Sequence, residues 1–448
     1  MASVVEALRR VKDDPARVLK AEQIEAACRG AGYGNWRERT LGPVQTVQAM
    51  ALQALHGNAP IGEVVRLHQG VFTGPAFCRA RKRLPLEVML ALFHEQHRWA
   101  MRTIVGSVQA RSASGGVWRG HRTWLNDSTG FSMPDTPELQ EYFGQSSRQK
   151  LGCGFPVCRT LMLFDWHSVM LMDFIPAPLD TGEGALAPLT HPSVRAGDIV
   201  ISDSNFGTFG QIGLQQVRNL HALCEVQVSR EVSFNWRTPR RGAELVRKVS
   251  RYDQIVRWRK PPSRPAWMDA RQFEELPESI EVREVRARLR DRGSRKREVI
   301  LVTTLLDEKR YPAHALAELY GRRWRIEDSI RTLKHTLKLD VLRCKSVHGV
   351  LKELVAIALV YNMVRAVMLD AARLQRVTPD RISFIDALRW WRCTHSDTPI
   401  PTLRVNPHRP NRHEPRVRKR RAKAYPLMHE PRSVLKARLL GRLPPHAK

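Results

Sequence analysis

The sequence predicts a mixed α/β protein with a helical N-terminal part and an arginine-rich β insertion, and three observations predict it. Short helical patterns separated by turn signals fill residues 1 to about 110. Apolar, strand-like runs begin near residue 118, and alternating β-type patterns dense in arginine continue from 225 to about 297. The chain then returns to a strand, "EVILVTTLLD", and to helical periodicity in "YPAHALAELYGRRWRIEDSIRTLKHTLKLD", which predicts one long helix.

Each element has a local reason. In "VFTGPAFCRARKRLP" Thr73 is placed to cap a helix whose first turn holds Pro75. That helix carries Arg79, Arg81, Lys82 and Arg83, which suits a small DNA-binding domain and equally suits a basic, solvated surface helix. "VWRGHRTWLNDST" reads as a strand, "RTLMLFD" and "SVMLMDFIP" as a hairpin closed at "WH", and "GDIVIS" as a further strand. The long connection before "GDIVIS" frees that strand to pair elsewhere in the sheet. The C-terminal "HRPNRHEPRVRKRRAKAYPLMHEPRSVLKARLLGRLPPHAK" mixes proline with clustered cations and is expected to be loosely ordered.

The 448 residues hold 74 Lys and Arg against 44 Asp and Glu, a formal net charge of +30, so a polyanion is the expected partner. A membrane surface also attracts such charge, but neither a lipidation motif nor an amphipathic basic helix beside an anchor accompanies it. "MASVVEALRRVKDDPARVLK" lacks an apolar stretch of signal-peptide length, so secretion is not expected. "ELVAIALVYNMVRAVML" is interrupted by Asn362 and Arg365, falls short of the ~20 residues a bilayer span needs, and reads as a buried helix. Seven cysteines without regular spacing argue for reduced thiols in a cytoplasm. Cys153 and Cys158 have no second pair at finger spacing, so core or turn thiols are expected there rather than zinc.

At about 100° per residue, Tyr320, Arg323, Glu327, Arg331, Lys334 and Lys338 fall within roughly 80° of arc and form one polar stripe. Leu319, Ile326, Ile330, Leu333 and Leu337 form an adjoining stripe that would pack on the sheet, leaving Glu327 at the rim of the core. One acid among a tyrosine and four cations suits a metal-binding carboxylate working beside a phosphate backbone. A solvated face with Glu327 ion-paired to Arg323 and Arg331 has the same composition. Asp203, which ends the apolar run in "ISDSNFGTFG", is by itself either a metal ligand or the first residue of a turn.

The spacing Tyr-x2-Arg-x3-Glu-x6-Lys, here Tyr320, Arg323, Glu327 and Lys334, resembles the signature of bacterial insertion-sequence transposases of the insertion sequence four family, a branch of the DDE transposases. "LNDSTGFSMPDTPE" resembles that family's first-acid region, with Asp127 at the end of a strand. "GDIVISDSNFGTF" resembles the second-acid region, Asp203 and Phe206 matching Asp-x-x-Phe. The helix "ELVAIALVYNMVRAVM" and the N-terminal "LGPVQTVQAMALQALHGNAPIGEVVRLHQGVFTGPAFCRARKRLP" are similar too, so the resemblance covers roughly residues 40 to 370 and not the tail. There are two departures: Ser128 stands where glycine commonly follows the first acid, and Ser204 where arginine often follows the second. Neither removes a carboxylate; both bear on the local backbone and phosphate contacts.

The resemblance implies a ribonuclease-H-like (retroviral-integrase-like) core, with the first acid on the central strand, the second just past a neighbouring strand and the third on a helix nearby. Together with the strand patterns and composition above, this divides the chain into a helical DNA-binding domain (1–110), a catalytic core in two parts (111–224 and 298–375), a β-rich insertion (225–297) and a basic C-terminal segment (376–448). The implied activity is DNA transposition: metal-dependent cleavage at transposon ends, through hairpin ends, and transfer of 3′-hydroxyls into target DNA. A transposase-derived DNA-binding protein and a metal-dependent nuclease without strand transfer are the alternatives.

Hard cations take oxygen ligands, so two aspartates and a glutamate suit two Mg²⁺ ions, with Mn²⁺ as a substitute. By analogy Asp127 would bridge both ions, Asp203 would hold the first and Glu327 the second. Tyr320, Arg323 and Lys334, with Arg331 on the same stripe, would contact phosphates near the cleaved bond. Trp236 and Trp258 are candidates for an aromatic that stacks on a flipped base, although either also reads as a strand-packing residue. The "RVRKRRAK" run would contact DNA nonspecifically or stay a solvated tail. The expected partners are terminal inverted repeats and target DNA bound by a homodimer, with no membrane. The expected location is the cytoplasm, at the nucleoid when bound to DNA.

Overall fold

Capping residues and strand alternation set the framework of the computed structural model, which describes residues 19–36, 40–109, 117–235, 240–290, 296–338, 340–393, 402–406 and 428–442. Helices α1 (Ala21–Gly30), α2 (Pro43–Leu55), α3 (Ile61–Leu67), α4 (Gly74–Arg83) and α5 (Leu86–Gln109) come first. As expected, Thr73 caps α4, its hydroxyl accepting from the Ala76 amide at 3.3 Å with Pro75 in the first turn. Arg79, Lys82 and Arg83 are exposed, whereas Arg81 turns inward to Gln53 and Cys344.

Then follow β1 (Val117–Trp118), β2 (His121–Ser132), α6 (Pro137–Phe143), β3 (Val157–Asp165), β4 (Leu171–Ala177), α7 (Glu183–Thr190), β5 (Ile199–Ser202), α8 (Phe209–Val217) and β6 (His221–Glu225). The strands β7 (Ala243–Ser250), β8 (Asp253–Arg259), β9 (Ser279–Arg290) and β10 (Lys296–Thr303) enclose α9 (Ala270–Glu275). The C-terminal part holds α10 (Ala313–Gly321), α11 (Trp324–Arg331), α12 (Val347–Leu374), α13 (Phe384–Cys393) and α14 (Arg432–Leu439). The tail expected to be loosely ordered contributes one helix among its described residues, α14, which docks through Arg432 onto Asp135 at 3.0 Å. The "RVRKRRAK" run lies outside the described residues.

The described strands form one sheet in the order β4-β3-β2-β5-β6-β10-β9-β8-β7, with β1 added on β2. β3 and β4 are the expected antiparallel hairpin, and β3 is also antiparallel to β2. β5, the "GDIVIS" strand, pairs elsewhere as foreseen: it is parallel to both β2 and β6. β10 returns antiparallel to β6, so the arginine-rich stretch lengthens this same sheet. Alternation along the strands divides the core. Leu125, Ile199, Ile201 and Leu223 share one cluster with Leu316, Leu319 and Ile326 from α10 and α11. Trp124, Leu163 and Val200 face the other side, against Ala100 of α5.

The apolar helix α12 runs 28 residues, longer than the sequence suggested, and 89% of its most apolar window is buried inside the protein. Its two polar interruptions tie down the edge of the sheet. Asn362 accepts from the Leu171 amide at 2.8 Å and donates to the Leu171 carbonyl at 2.7 Å, completing the backbone of edge strand β4. Arg365 donates to the Ser168 carbonyl in the β3–β4 turn.

The one long helix predicted from Tyr311 onward is broken. α10 stops at Gly321, and 3₁₀-type bonds from Arg323 to Tyr320 and from Ile326 to Arg323, both 2.9 Å, carry the chain into α11. Gly321 is a weak helix residue at that junction. A π turn at Thr332–Thr336 follows, closed from Leu337 to Thr332 at 3.1 Å. Leu319, Ile326, Leu333 and Leu337 are nevertheless buried and Ile330 half-buried, as the apolar stripe required.

Candidate active site

Register brings the first two acids together. Leu125 of β2 pairs with Ile201 of the parallel strand β5. Two residues further on stand Asp127, still within β2, and Asp203, immediately past the end of β5, on the side that Leu125 and Ile201 share with α10 and α11. Asp127 is not at a strand end: β2 continues to Ser132, but its pairing with β5 stops at Leu125, which opens the sheet beside the carboxylate. Ser202 pairs with Cys224, so Glu225, ending β6, comes level with Asp203.

Each aspartate is held by one oxygen. Asp127 Oδ1 accepts from the Ser128 amide at 2.8 Å, and Asp203 Oδ1 from the Asn205 amide at 2.9 Å, Asp203 capping the 3₁₀ turn Ser204–Phe206. Asp203 therefore begins a turn, one of its two expected readings, while its carboxylate lies among the acids of this face. Burial pushes the Asp127 carboxyl up to about 6, with Asp203 and Glu183 adding to the rise and the Ser128 amide and Arg323 opposing it. Asp203 is raised too, again chiefly by burial, with Glu183 and Glu225 contributing.

Glu327 approaches from α11, and Arg323 stands between it and the sheet. Arg323 Nη2 is 2.9 Å from Glu327 Oε1, and Nη1 is 3.5 Å from Asp127 Oδ2. Among the described residues no three Asp, Glu, His or Cys side chains are gathered closely enough to enclose a metal ion. The donor set nonetheless fits a hard divalent cation. It is all oxygen, and the Asp127 carboxyl, raised chiefly by burial and further by the neighbouring Asp203 and Glu183, stands where a bound cation would favour its charged form.

The remaining candidates separate. Tyr320 is buried, its ring 6.0 Å from the Arg323 guanidinium, and burial raises its hydroxyl pKa. Lys334 is half-buried in the π turn, its ammonium 5.4 Å from the Phe131 ring, and burial lowers its pKa. It lines a cavity of about 510 Å³ with His335, Lys338, Arg343 and Asp340, a mostly basic recess that contains none of the three acids. Arg331 is exposed and pairs with Asp328, not with Glu327. Trp258 is fully buried, its indole N–H donating to Glu284 Oε1 at 3.1 Å beneath the Arg230 guanidinium; strand packing is its role in this state. Trp236 lies outside the described residues.

Two acids were missed by sequence reasoning. Glu225 ends β6 as Asp203 follows the end of β5, a strand-end position that was readable. Glu183, in the first turn of α7, reaches the site only through the tertiary fold: its carboxylate accepts from Ser128 Oγ and, at 3.2 Å, from Asn205 Nδ2.

Comparison with known proteins matches residues 118–363 to the family described as "Transposase DDE domain". "Transposase InsG for insertion sequence element IS4" from Escherichia coli (strain K12) is 23% identical over 383 residues, covering 82% of this chain and 79% of the relative. "Putative transposase InsZ" from the same strain is 27% identical over 203 residues, covering 43% of this chain and 63% of the relative. A piggyBac transposase synaptic complex with hairpin DNA aligns over 87% of this chain and 79% of its own, at 10% identity and a TM-score of 0.40, too loose a likeness to carry an argument. The family match spans more than half of the 448 residues and encloses Asp127, Asp203 and Glu327: the chain belongs to the DDE transposases, enzymes that cleave DNA and transfer its strands.

Proposed function

We propose that Asp127, Asp203 and Glu327 are the three carboxylates of the transposition site and that they hold two Mg²⁺ ions, or Mn²⁺ in their place. The observation that carries this is the parallel register of β2 and β5, which sets Asp127 beside Asp203 on the face covered by the helix bearing Glu327. A sheet ordered β4-β3-β2-β5-β6, antiparallel among the first three strands and parallel among the last three, is the arrangement expected of a ribonuclease-H-like core. Divalent ions there would neutralise charge at the scissile phosphate and favour a deprotonated attacking oxygen.

The chain's own residues supply the rest. Arg323, Lys334 and the basic recess beside Lys334 position the strand by its phosphates. Glu327 would hold an ion, and Arg323, which pairs with it at 2.9 Å, would then be free to contact a phosphate. Tyr320, buried beneath Arg323, keeps that guanidinium in place. The partners are the element's own terminal repeats and target DNA, with two ends held by a homodimer. Donor cleavage runs through hairpin ends.

The test is incubation of purified protein with DNA carrying this gene's own flanking sequences and Mg²⁺, against a Glu327→Gln variant. Paired cuts at inverted ends, strand transfer of the freed 3′-hydroxyls, and loss of both in the variant are expected. Cutting without joining would make the chain a nuclease, and tight binding without cutting by either protein would remove it from catalysis.

A further inference from the structure

Ser128 departs from the family's usual glycine, and its hydroxyl is engaged: it donates to Glu183 Oε1. The other oxygen of Glu183 accepts from Asn205 Nδ2 at 3.2 Å. These two partners are also the residues whose backbone amides hold the site, Ser128 N on Asp127 Oδ1 at 2.8 Å and Asn205 N on Asp203 Oδ1 at 2.9 Å. One carboxylate on α7 therefore links the stretch of β2 just after the first acid to the turn after the second. A glycine at 128 has no hydroxyl to make that link, so the device belongs to this chain's own Asp-Ser-Thr sequence.

We infer that Glu183 is a positioning residue for transposition: through Ser128 and Asn205 it sets the rotamers and spacing of Asp127 and Asp203, leaving the second oxygen of each outside the clamp. Its charge is favourable in the first turn of α7, where unpaired amides point out of the helix. Three carboxylates held close without full pairing repel one another, and that repulsion is relieved by a bound cation. The clamp thus fixes donors in a geometry that costs free energy until an ion arrives. Outer partners of metal ligands typically change affinity about 10- to 100-fold. The inference rests on Asp127 and Asp203 being the metal-holding pair.

Binding of Mn²⁺ to the purified full-length protein, with free ion counted by electron paramagnetic resonance, tests it without reference to activity. Glu183→Ala and the double variant Ser128→Ala with Asn205→Ala are each expected to weaken Mn²⁺ binding by about tenfold. Ser128→Thr, which keeps the hydroxyl, is expected to stay within about twofold of the parent. Thermal melting of each variant separates this from loss of the fold, and Glu183→Gln, which keeps an acceptor oxygen, provides a milder change should Glu183→Ala not fold. If the double variant binds Mn²⁺ normally while Glu183→Ala does not, Glu183 is itself a ligand and the clamp is wrong. Unchanged binding by folded Glu183→Ala also overturns it. Absence of any Mn²⁺ binding that Asp127→Asn abolishes would sink the site assignment, and the clamp with it.

Discussion

The guanidinium of Arg323 lies 2.9 Å from Glu327 and 3.5 Å from Asp127, so one buried cation holds two of the three carboxylates proposed for the reaction. Its side chain is only 11% exposed against 39% for Glu327, so the cation is largely withdrawn from solvent while the glutamate stays reachable. Arg323→Ala is expected to lower cleavage at the element's ends by about 100-fold, the scale of a lost charge-assisted contact in an active site. Nonspecific DNA binding, measured by filter retention in the same buffer, should fall much less. Equal losses in both assays would show that Arg323 contributes only general positive charge.

Asp127 makes stability depend on pH in a defined direction. Its folded pKa, about 6, is above the unfolded value of about 3.9, so between these the unfolded chain binds fewer protons. The contribution of this group is therefore most favourable below about pH 4 and is lost as pH rises through 6. Asp127→Asn should raise stability at pH 7.5 by about 1–2 kcal/mol, allowing for partial solvent screening, and the gain should shrink toward zero near pH 4. Melting curves of both proteins at the two pH values check this. A gain of the same size at both would exclude titration of Asp127 as its source.

The lengthened sheet depends on a buried ion pair. Arg283 on β9 reaches Asp253 at 2.8 and 2.5 Å and donates to the Tyr311 carbonyl at 2.6 Å, with side-chain exposures of 1% and 6%. Arg283→Met leaves Asp253 charged without its partner and should cost about 3–5 kcal/mol in urea unfolding. Adding Asp253→Leu should recover most of that loss. A double variant as unstable as the single one would mean that packing, not charge, decides the cost.

Gly207 is required by close approach rather than by its backbone angle. A Cβ there would stand 2.3 Å from the Glu225 carbonyl oxygen and 3.0 Å from the Gln227 amide. Gly207→Ala must push the turn carrying Asp203 away from the end of β6, so cleavage should fall at least tenfold in a protein that still melts cooperatively. Wild-type cleavage by that variant would show the turn to be compliant.

The sequence by itself determined the order of elements, the cap at Thr73, the burial of α12 and the family signature, because all of these follow from local spacing. Asp203 as a strand-end acid and Glu327 at the rim of an apolar stripe were readable for the same reason. Periodicity did not reveal the break after Gly321 or the π turn at Thr332–Thr336. Both are small departures from helical phase that a sheet packed beneath the helix can impose. Nor did it reveal that Arg331 pairs with Asp328 or that Trp258 is sealed beneath Arg230. Only the tertiary structure decided which acids meet. Asp127, Glu183, Asp203 and Glu225 come from β2, α7, the turn after β5 and the end of β6. Their convergence depends on parallel pairing of β2, β5 and β6, a long-range choice that local composition does not encode.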